Sequence, residues 1–439
     1  MNIKVAKFGG TSLSDAKHFS LVRNIILSSQ DRRYIVPSAP GKRNQEDDKI
    51  TDLLLRCYSF WHAGMKIDNE FSKIIFRFED IINKLGIPLD LSHEYSDILE
   101  SLKEESADRI ASRGEYITAK ILSKYLNYDF VDAKECIMFD SDGVFLPEET
   151  NARAGEILQY HPYAVIPGFY GAMPNGKIKT FTRGGSDITG AIIARAVTAD
   201  FYENWTDIDG FKMADPRIVA NPKTIKIVTY REMRELSYMG ANVLHEDTVF
   251  PVRRAGIPIH IRNTNSPEKK GSLIVGYRRK EQDDEIIGIA GKTGYVGIQI
   301  EKENLSSFPH LHCEICSIFD QHGIPISHIK YGIDSITVYT TKSNLAQREF
   351  EILTDISDAL DPDTIYAESG IALIAVVGNG IAKNRDKVLS QICSCLRAND
   401  IVMKMCDSTG SEISIFVGVS EEYFALTQRA LYSYFQLDK

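Results

Sequence analysis

Ile315-Cys316-Ser317 recurs as Ile392-Cys393-Ser394, and the recurrence is not isolated. Ile324, after His322-Gly323, is matched by Ile401, after Asn399-Asp400; Ser335-Ile336-Thr337-Val338 is matched by Glu412-Ile413-Ser414-Ile415. The matches share one offset of about eighty residues, and self-similarity at a fixed spacing marks a duplicated unit. Each copy reads as strand, amphipathic helix, turn, strand, turn, strand. Residues 296–300 and 373–377 open the copies, 326–329 and 402–405 follow the helices, and 336–339 and 413–417 close the pattern. The last third therefore folds as two like modules. A chain of 439 residues leaves room for a larger domain before them.

The boundary is visible in composition. Residues 278–285 are an unbroken polar run, Arg-Arg-Lys-Glu-Gln-Asp-Asp-Glu, without apolar periodicity, and read as a solvated linker. Before it, short apolar strands alternate with helical stretches, the pattern of an α/β domain. Within that domain, residues 61–126 are mostly helical and charged. The net charge of −9 and the lack of a basic stripe with interleaved aromatics argue against a nucleic-acid partner. No apolar run approaches a membrane span. The chain starts directly with a strand pattern, so no secretory leader is expected. Seven scattered cysteines suit reduced thiols in a cytoplasm.

Three polar pieces of the larger domain carry chemistry. In Lys7-Phe8-Gly9-Gly10-Thr11-Ser12 a strand through Ile3, Val5 and Phe8 meets two glycines. Thr11, Ser12 and Asp15 then offer caps for a helix through Phe19, Val22 and Ile26. Strand, Gly-Gly and helix N-terminus suit a phosphate, and Lys7 adds a positive charge. The same pattern also suits a plain strand-to-helix turn. In Thr182-Arg183-Gly184-Gly185-Ser186-Asp187, glycines again precede an apolar helix, from Ile188 through Ala196, with Ser186 and Asp187 at capping positions. The planar fork of Arg183 suits a carboxylate. The third piece runs from Asn204-Trp205-Thr206-Asp207 to Ala214-Asp215-Pro216-Arg217, after a strand over 200–204. Thr206 and Asp207 can hydrogen-bond a purine and Arg217 can reach a phosphate; alone this is a polar loop. A second polar turn, Pro37-Ser38-Ala39-Pro40-Gly41-Lys42, leads to Ile50-Thr51-Asp52, and Arg113-Gly114-Glu115 sits on a helix.

The cysteine pairs do not read as a metal site. Cys313 and Cys316 form a C-x-x-C and Cys393 and Cys395 a C-x-C, but zinc requires such pairs to converge. Cys316 and Cys393 occupy equivalent repeat positions on the apolar faces of equivalent helices, where cysteine acts as a small hydrophobe.

Together these pieces resemble the aspartate kinase branch of the amino-acid kinase family, across essentially the whole chain, and the repeat resembles a pair of ACT domains. The resemblance rests on the Lys7–Ser12 motif, Arg183-Gly184-Gly185-Ser186-Asp187, Thr206-Asp207 and Asp215-Pro216-Arg217. Tyr230-Arg231-Glu232-Met233 and Arg262-Asn263-Thr264-Asn265 resemble a lysine- and threonine-responsive branch found in Gram-positive bacteria. The implied fold is α/β: an amino-acid-kinase αβα sandwich over 1–277, the linker over 278–285, and two ferredoxin-like βαββαβ ACT domains over 286–366 and 367–439. A final strand of the second ACT domain is allowed to pair into the first. Two departures stand out: Asn242 lies where many members carry lysine, and Lys212 where an aromatic is common.

The resemblance implies transfer of the γ-phosphoryl of ATP to the side-chain carboxylate of L-aspartate, giving 4-phospho-L-aspartate, the first step toward lysine, threonine and methionine. A free aspartate side chain titrates at ~3.9, so the nucleophile is already ionised and no general base is required. It further implies that Lys7 stabilises phosphate charge and that Asp187 orients that lysine or the metal shell. Gly9 and Gly10 would cradle the phosphoryl group through backbone N–H groups, and Ser38, Thr206, Asp207 and Arg217 would join Lys7 in holding ATP. Arg183 would hold the aspartate α-carboxylate and Glu115 its ammonium. Thr51 and Ser186 would position the substrate against a wall made by Phe169. Mg²⁺ would ride mainly on phosphate oxygens and water, without a protein metal site.

ACT modules imply feedback by lysine, threonine or both at ACT–ACT interfaces, hence at least a homodimer in the cytoplasm. The candidate effector residues are Ile326, Ser327, Gly332, Ile333, Asp334 and Ser335. They also suit an ordinary strand connection. Two other readings stay open: an amino-acid kinase acting on a different carboxylate, and a catalytically dead amino-acid sensor.

Overall fold

The computed structural model describes residues 2–104, 106–182, 184–241, 244, 246–278, 286–307, 310–408, 413–435 and 437. The chain divides into two compact units: Met1–Phe211 with Thr224–Tyr230 and Val243–Arg278, and Lys212–Lys223 with Arg231–Asn242 and Arg279–Lys439. Most of the expected linker lies outside the described residues.

The strands of the first unit are β1 (Lys4–Phe8), β2 (Arg32–Pro37), β3 (Asp129–Phe130), β4 (Ala164–Val165), β5 (Tyr170–Ala172), β6 (Ile178–Thr180), β7 (Phe201–Thr206), β8 (Ile227–Thr229), β9 (Ile259–Asn263) and β10 (Ser272–Val275). Among the described residues eight of them form one sheet, in the order β3-β4-β2-β1-β7-β9-β10-β8, and β5 and β6 pair separately. All neighbours in the large sheet run parallel except β9 and β10. β1 is the central strand: Phe8 stands opposite Pro37 of β2 and Trp205 of β7. The segments leaving the C-terminal ends of β1, β2 and β7 therefore start side by side, where open α/β sheets collect ligands.

Both faces of this sheet are covered, as the near-continuous burial of β1 requires. Ala6, Phe8, Ile35 and Trp205 join a core with Phe19, Leu53, Phe78 and Ile117 from the helices Ala16–Leu27, Ile50–His62, Asp68–Leu85 and Asp108–Leu126. Lys7 and Asn204 point the other way, toward the helix Gly185–Ala196. That helix packs tightly: a β-carbon on Gly190 would lie 2.6 Å from the ring of Tyr202. On the first face Glu203 takes Arg32 Nε at 2.6 Å and Trp205 Nε1 at 2.9 Å, so a buried ion pair is closed by an indole N–H.

The second unit is one six-stranded sheet among the described residues, in the order β12-β13-β11-β14-β16-β15. Its strands are β11 (Gly288–Glu301), β12 (His328–Tyr331), β13 (Ser335–Thr341), β14 (Thr364–Val377), β15 (Met405–Asp407) and β16 (Ser414–Ser420). The repeat is realised as two cores. Val296, Ile298, Ile315, Val338 and Ile356 make one, and Ile374, Val376, Ile392, Ile415 and Leu431 the other.

β11 and β14 serve both modules. Residues 295–301 of β11 pair with β13, while 288–292 pair with 373–377 of β14. The register shifts near Gly294 and Gly370, whose φ values of 80° and 75° suit glycine at bulges. The first module is thus inserted between a strand and the rest of the second. The expected final strand is replaced by this exchange: among the described residues no strand follows the last helix, Phe424–Tyr434, and the second module takes its extra strand from 288–292.

Two stretches expected in the catalytic domain belong to the second unit. Ala214 and Val219 enter its core, Met213 O accepts Ile289 N–H at 2.7 Å, and Lys223 N–H donates to Tyr432 Oη. Glu232 and Glu235 accept from Asn379 N–H and Ser414 Oγ, each at 3.0 Å. The cysteines also differ from expectation. Cys395 is buried, but Cys393 is exposed and Cys316 half-exposed, so the equivalent repeat positions lie at the edge of the apolar face. No helix among the described residues is long and apolar enough to cross a membrane.

Candidate active site

Lys7, the last residue but one of β1, faces the N-terminal turn of the helix Gly185–Ala196. Its Nζ lies 2.7 Å from Asp187 Oδ1, with most of both side chains withdrawn from solvent. Nζ also lies 3.7 Å from where a Gly9 β-carbon would stand, so the charge sits against the glycine loop. An ammonium carries three donors, and one is committed to Asp187.

The glycines do different work from one another. Gly9 N–H donates to Trp205 O at 3.0 Å, so that N–H is tied to β7 rather than offered to a phosphate. Gly10 is required by packing: a β-carbon there would fall 2.7 Å from Ala39 O. A short 3₁₀ turn, Gly10–Leu13, precedes the helix Ala16–Leu27. Only Asp15 of the three expected caps closes that helix, accepting His18 N–H at 3.0 Å; Ser12 Oγ pairs instead with Thr264 Oγ1 at 2.7 Å.

Ser186 and Asp187 are not caps. Gly184, with φ of 56°, is the N-cap, and both residues lie inside the first turn. A carboxylate there gains from the helix dipole, and the turn's position fixes where it points. Phe169 packs against this turn with φ of 84°, a conformation that L side chains rarely adopt. Its N–H donates to Thr189 Oγ1 at 3.0 Å and its carbonyl accepts Phe181 N–H at 2.9 Å. Ser186 abuts Gly168, where a β-carbon would lie 2.6 Å from its Oγ. Phe169 and Ser186 are thus brought together; Arg183 lies outside the described residues.

The turn 37–42 joins the loops. Ser38 N–H donates to Phe8 O and Gly41 N–H to Gly10 O, while Pro40 O accepts Ile50 N–H at the start of the helix carrying Thr51. Glu115 lies behind this turn. Gly114 allows the approach, since a β-carbon on it would meet Ala39 Cβ at 2.7 Å. Glu115 is buried, and among the described residues its Oε2 has no hydrogen-bond partner. Burial pushes its carboxyl up to about 8, against the opposing pull of backbone N–H groups at Ala39 and Glu115 and of Arg113.

Thr206 ends β7, its carbonyl accepting Thr264 N–H and its hydroxyl donating to the exposed Asp207 at 3.1 Å. Arg217 belongs to the second unit, exposed and paired with Asp215 at 2.6 Å. Asn242 lies outside the described residues. Among the effector candidates, Gly332 N–H donates to Ser335 O in the β12–β13 turn, Asp334 Oδ1 accepts Asn304 N–H, Ser327 N–H donates to Tyr339 O, Ile326 packs against the first-module core and Ile333 is 77% exposed. Gly332 and Ser335 border a cavity of about 320 Å³ that is also lined by Gln299, Lys330, Thr337 and Glu368.

Residue-by-residue reading missed the role of Asn204. It donates to Asp187 Oδ1 at 2.6 Å from within a buried strand. The available signal was a polar amide among Tyr202, Glu203 and Trp205, where an unsatisfied group is costly.

The amino acid kinase family matches residues 2–263, and an ACT domain matches 374–435. The chain is 32% identical to aspartokinase 3 of Bacillus subtilis (strain 168), covering 99% of this chain and 98% of that protein. It is 26% identical to the lysine-sensitive aspartokinase 3 of Escherichia coli (strain K12), over 87% and 88% of the two chains. The crystal structure of Clostridium acetobutylicum aspartate kinase superimposes with a TM-score of 0.92 and 42% identity, covering 99% of this chain and all of that one. The E. coli aspartokinase III structure in complex with lysine and aspartate shares the fold, with a TM-score of 0.77, 22% identity and 99% of each chain covered. A central β1 that carries Lys7, the helix turn that presents Asp187 to that lysine and these full-length matches lead to one conclusion: the chain belongs to the aspartate kinases of the amino acid kinase family.

Proposed function

We propose that phosphoryl transfer from ATP to the side-chain carboxylate of L-aspartate is carried out at the Lys7–Asp187 pair, at the meeting of β1, the Gly10 turn and the first turn of the helix Gly185–Ala196. The observation that carries this reading is the 2.7 Å contact of Lys7 Nζ with Asp187 Oδ1 beside the glycine loop. The acceptor carboxylate is already ionised, so the site's task is to bring two anions together and to neutralise the charge that develops between them. Lys7 supplies positive charge where the phosphates approach. Asp187 fixes the ammonium, and the helix N-terminus adds a favourable field for an anion.

Glu115 is the proposed partner of the substrate ammonium. A cation beside Oε2, which has no hydrogen-bond partner among the described residues, would satisfy a buried acceptor, and binding would draw a proton off the carboxyl. Arg183 is assigned the α-carboxylate; Thr51, Ser186 and Phe169 shape the substrate side; Gly10, Ser38, Thr206 and Asp207 the nucleotide side. Gly9 contributes by anchoring the loop to Trp205.

A Mg²⁺ ion fits the residues present as a phosphate-borne cofactor. Among the described residues the two donors that hold Asp187, Lys7 and Asn204, both engage Oδ1, and a single carboxylate oxygen with phosphates and water matches the chemistry of that ion. When bound, it supplies neutralisation of phosphate charge.

The ACT modules are assigned feedback by lysine, threonine or both, with Ile326, Ser327, Gly332, Ile333, Asp334 and Ser335 as candidate contacts. An E. coli relative is named lysine-sensitive, and the E. coli aspartokinase III structures include one with lysine and aspartate and one with aspartate and ADP. Inhibition requires the effector to bind an inactive arrangement more tightly than the active one. A homodimer or higher oligomer in the cytoplasm completes the proposal. Arg183→Ala tests the substrate assignment: the aspartate KM rises most, and an unchanged KM refutes it.

A further inference from the structure

Asn204 sits on β7, directly opposite Lys7 in the β1–β7 register. It is 2% exposed, flanked by Glu203 and Trp205, which turn to the other face of the sheet. Its Nδ2 donates to Asp187 Oδ1 at 2.6 Å, and Lys7 Nζ reaches that same oxygen at 2.7 Å. Two residues earlier, on the same face of β7, Tyr202 Oη donates to the Asp187 main-chain carbonyl at 3.0 Å. One strand therefore holds both the backbone and the carboxylate of the residue that holds Lys7.

A buried primary amide is costly unless satisfied, and here its donor goes to a carboxylate, the stronger class of hydrogen bond. The consequence for Lys7 is geometric. A carboxylate bound only by a lysine can rotate with it, because both side chains have several torsions. With Oδ1 fixed from the sheet by Asn204, the ammonium has one defined anchor. Its remaining donors keep a fixed relation to the Gly9 loop.

We infer that Asn204 is a positioning residue for the phosphoryl-transfer step: it locks the Asp187 carboxylate so that Lys7 is held for the transferring phosphoryl group. This rests on the Lys7–Asp187 reading above. It goes beyond that reading by giving the amide a role in turnover rather than only in folding.

The test uses the full chain and hydroxylamine-trapped acyl phosphate, with thermal denaturation measured alongside. Asn204→Leu, similar in size but without the donor, is expected to lower kcat by about ten- to a hundredfold, the scale of a catalytic group displaced by an ångström or less. The aspartate KM should stay within about twofold, since uniform binding is untouched. In the Lys7→Ala background the same substitution should have no further effect on kcat, because its action passes through Lys7. Wild-type kcat in Asn204→Leu overturns the inference, and so does an equal proportional loss in both backgrounds. If Asn204→Leu fails to fold, Asn204→Asp decides: it keeps the shape and places a second carboxyl against Asp187. Its kcat should fall at neutral pH and recover toward acid, where a proton restores the donor; a flat, wild-type kcat between about pH 6 and pH 9 contradicts the role. Should Lys7→Ala itself retain normal kcat, the fault lies with the Lys7–Asp187 reading and not with Asn204 alone.

Discussion

Gly10 and Gly41 meet backbone to backbone. Gly41 N–H donates to Gly10 O at 2.8 Å, and a β-carbon on Gly41 would lie 2.7 Å from the Gly10 carbonyl carbon. This contact ties the loop after β1 to the loop after β2, and so ties Lys7 and Gly9 to the turn that covers Glu115. Gly41→Ala forces two backbones apart, since neither side is a flexible side-chain end. A loss of about 1–3 kcal/mol is expected, with a lower Tm and a lower kcat. An unchanged Tm would show that the loops separate freely and are not coupled.

Lys7→Ala removes the charge and leaves Asp187 still bonded to Asn204, so the fold should survive. Turnover is expected to fall by at least about a hundredfold, the scale of losing one preorganised electrostatic group. Lys7→Arg should recover only part, because a planar fork does not reproduce a compact ammonium. The comparison of kcat with Tm across both variants checks this.

Glu115 gives two pH effects of defined sign. Its carboxyl stands at about 8 against an ordinary 4.5, so the folded protein holds a proton that the unfolded chain has lost across that window. Stability from this group therefore falls as pH rises through the window. Glu115→Gln should remove that slope and gain Tm relative to wild type at alkaline pH. In the proposed complex the substrate ammonium requires the carboxylate, so aspartate binding at neutral pH releases a proton and the aspartate KM falls as pH rises toward 8. Calorimetry in two buffers of different ionisation enthalpy measures the release directly; no proton release would remove Glu115 from the ammonium site.

The acid side is governed by ion pairs. Burial favours a neutral Glu203, but hydrogen bonding and charge from Arg32, with the Trp205 N–H, hold its carboxyl below the usual range. Burial likewise opposes ionisation of Asp97, and Arg113 and Arg109 outweigh it. Both stabilise the fold at neutral pH, and this stabilisation is lost as pH falls through the depressed values. Glu203→Gln leaves Arg32 buried without its counter-charge and is expected to cost about 3–5 kcal/mol, read as a lower urea midpoint. A midpoint equal to wild type would mean that water reaches Arg32.

The parts of the fold set by local pattern were readable in the sequence. The Lys7–Ser12 segment is a strand meeting a turn, Asp15 caps the following helix, and the duplicated hydrophobic spacing becomes two cores. The departures come from long-range packing. Nothing local in 288–292 says that it pairs with 373–377 across the inserted module. The glycines at 9 and 10 look alike in sequence, yet one N–H is taken by Trp205 and the other residue is fixed by Ala39. Ser186 and Asp187 have cap chemistry, but Gly184 takes the left-handed N-cap position. Asn204 gains its role only because β7 lies beside β1. Arg217 follows a motif read as part of the catalytic domain, while its segment packs with the second unit.

The most direct test of the account is ATP-dependent acyl-phosphate formation, trapped with hydroxylamine, for aspartate and glutamate, in the wild type and in Lys7→Ala, with and without lysine and threonine. An aspartate-dependent signal is expected in the wild type, with little from glutamate, near-complete loss in Lys7→Ala, and suppression of the wild-type signal by lysine, threonine or both. A folded Lys7→Ala protein that forms acyl phosphate at the wild-type rate would contradict it.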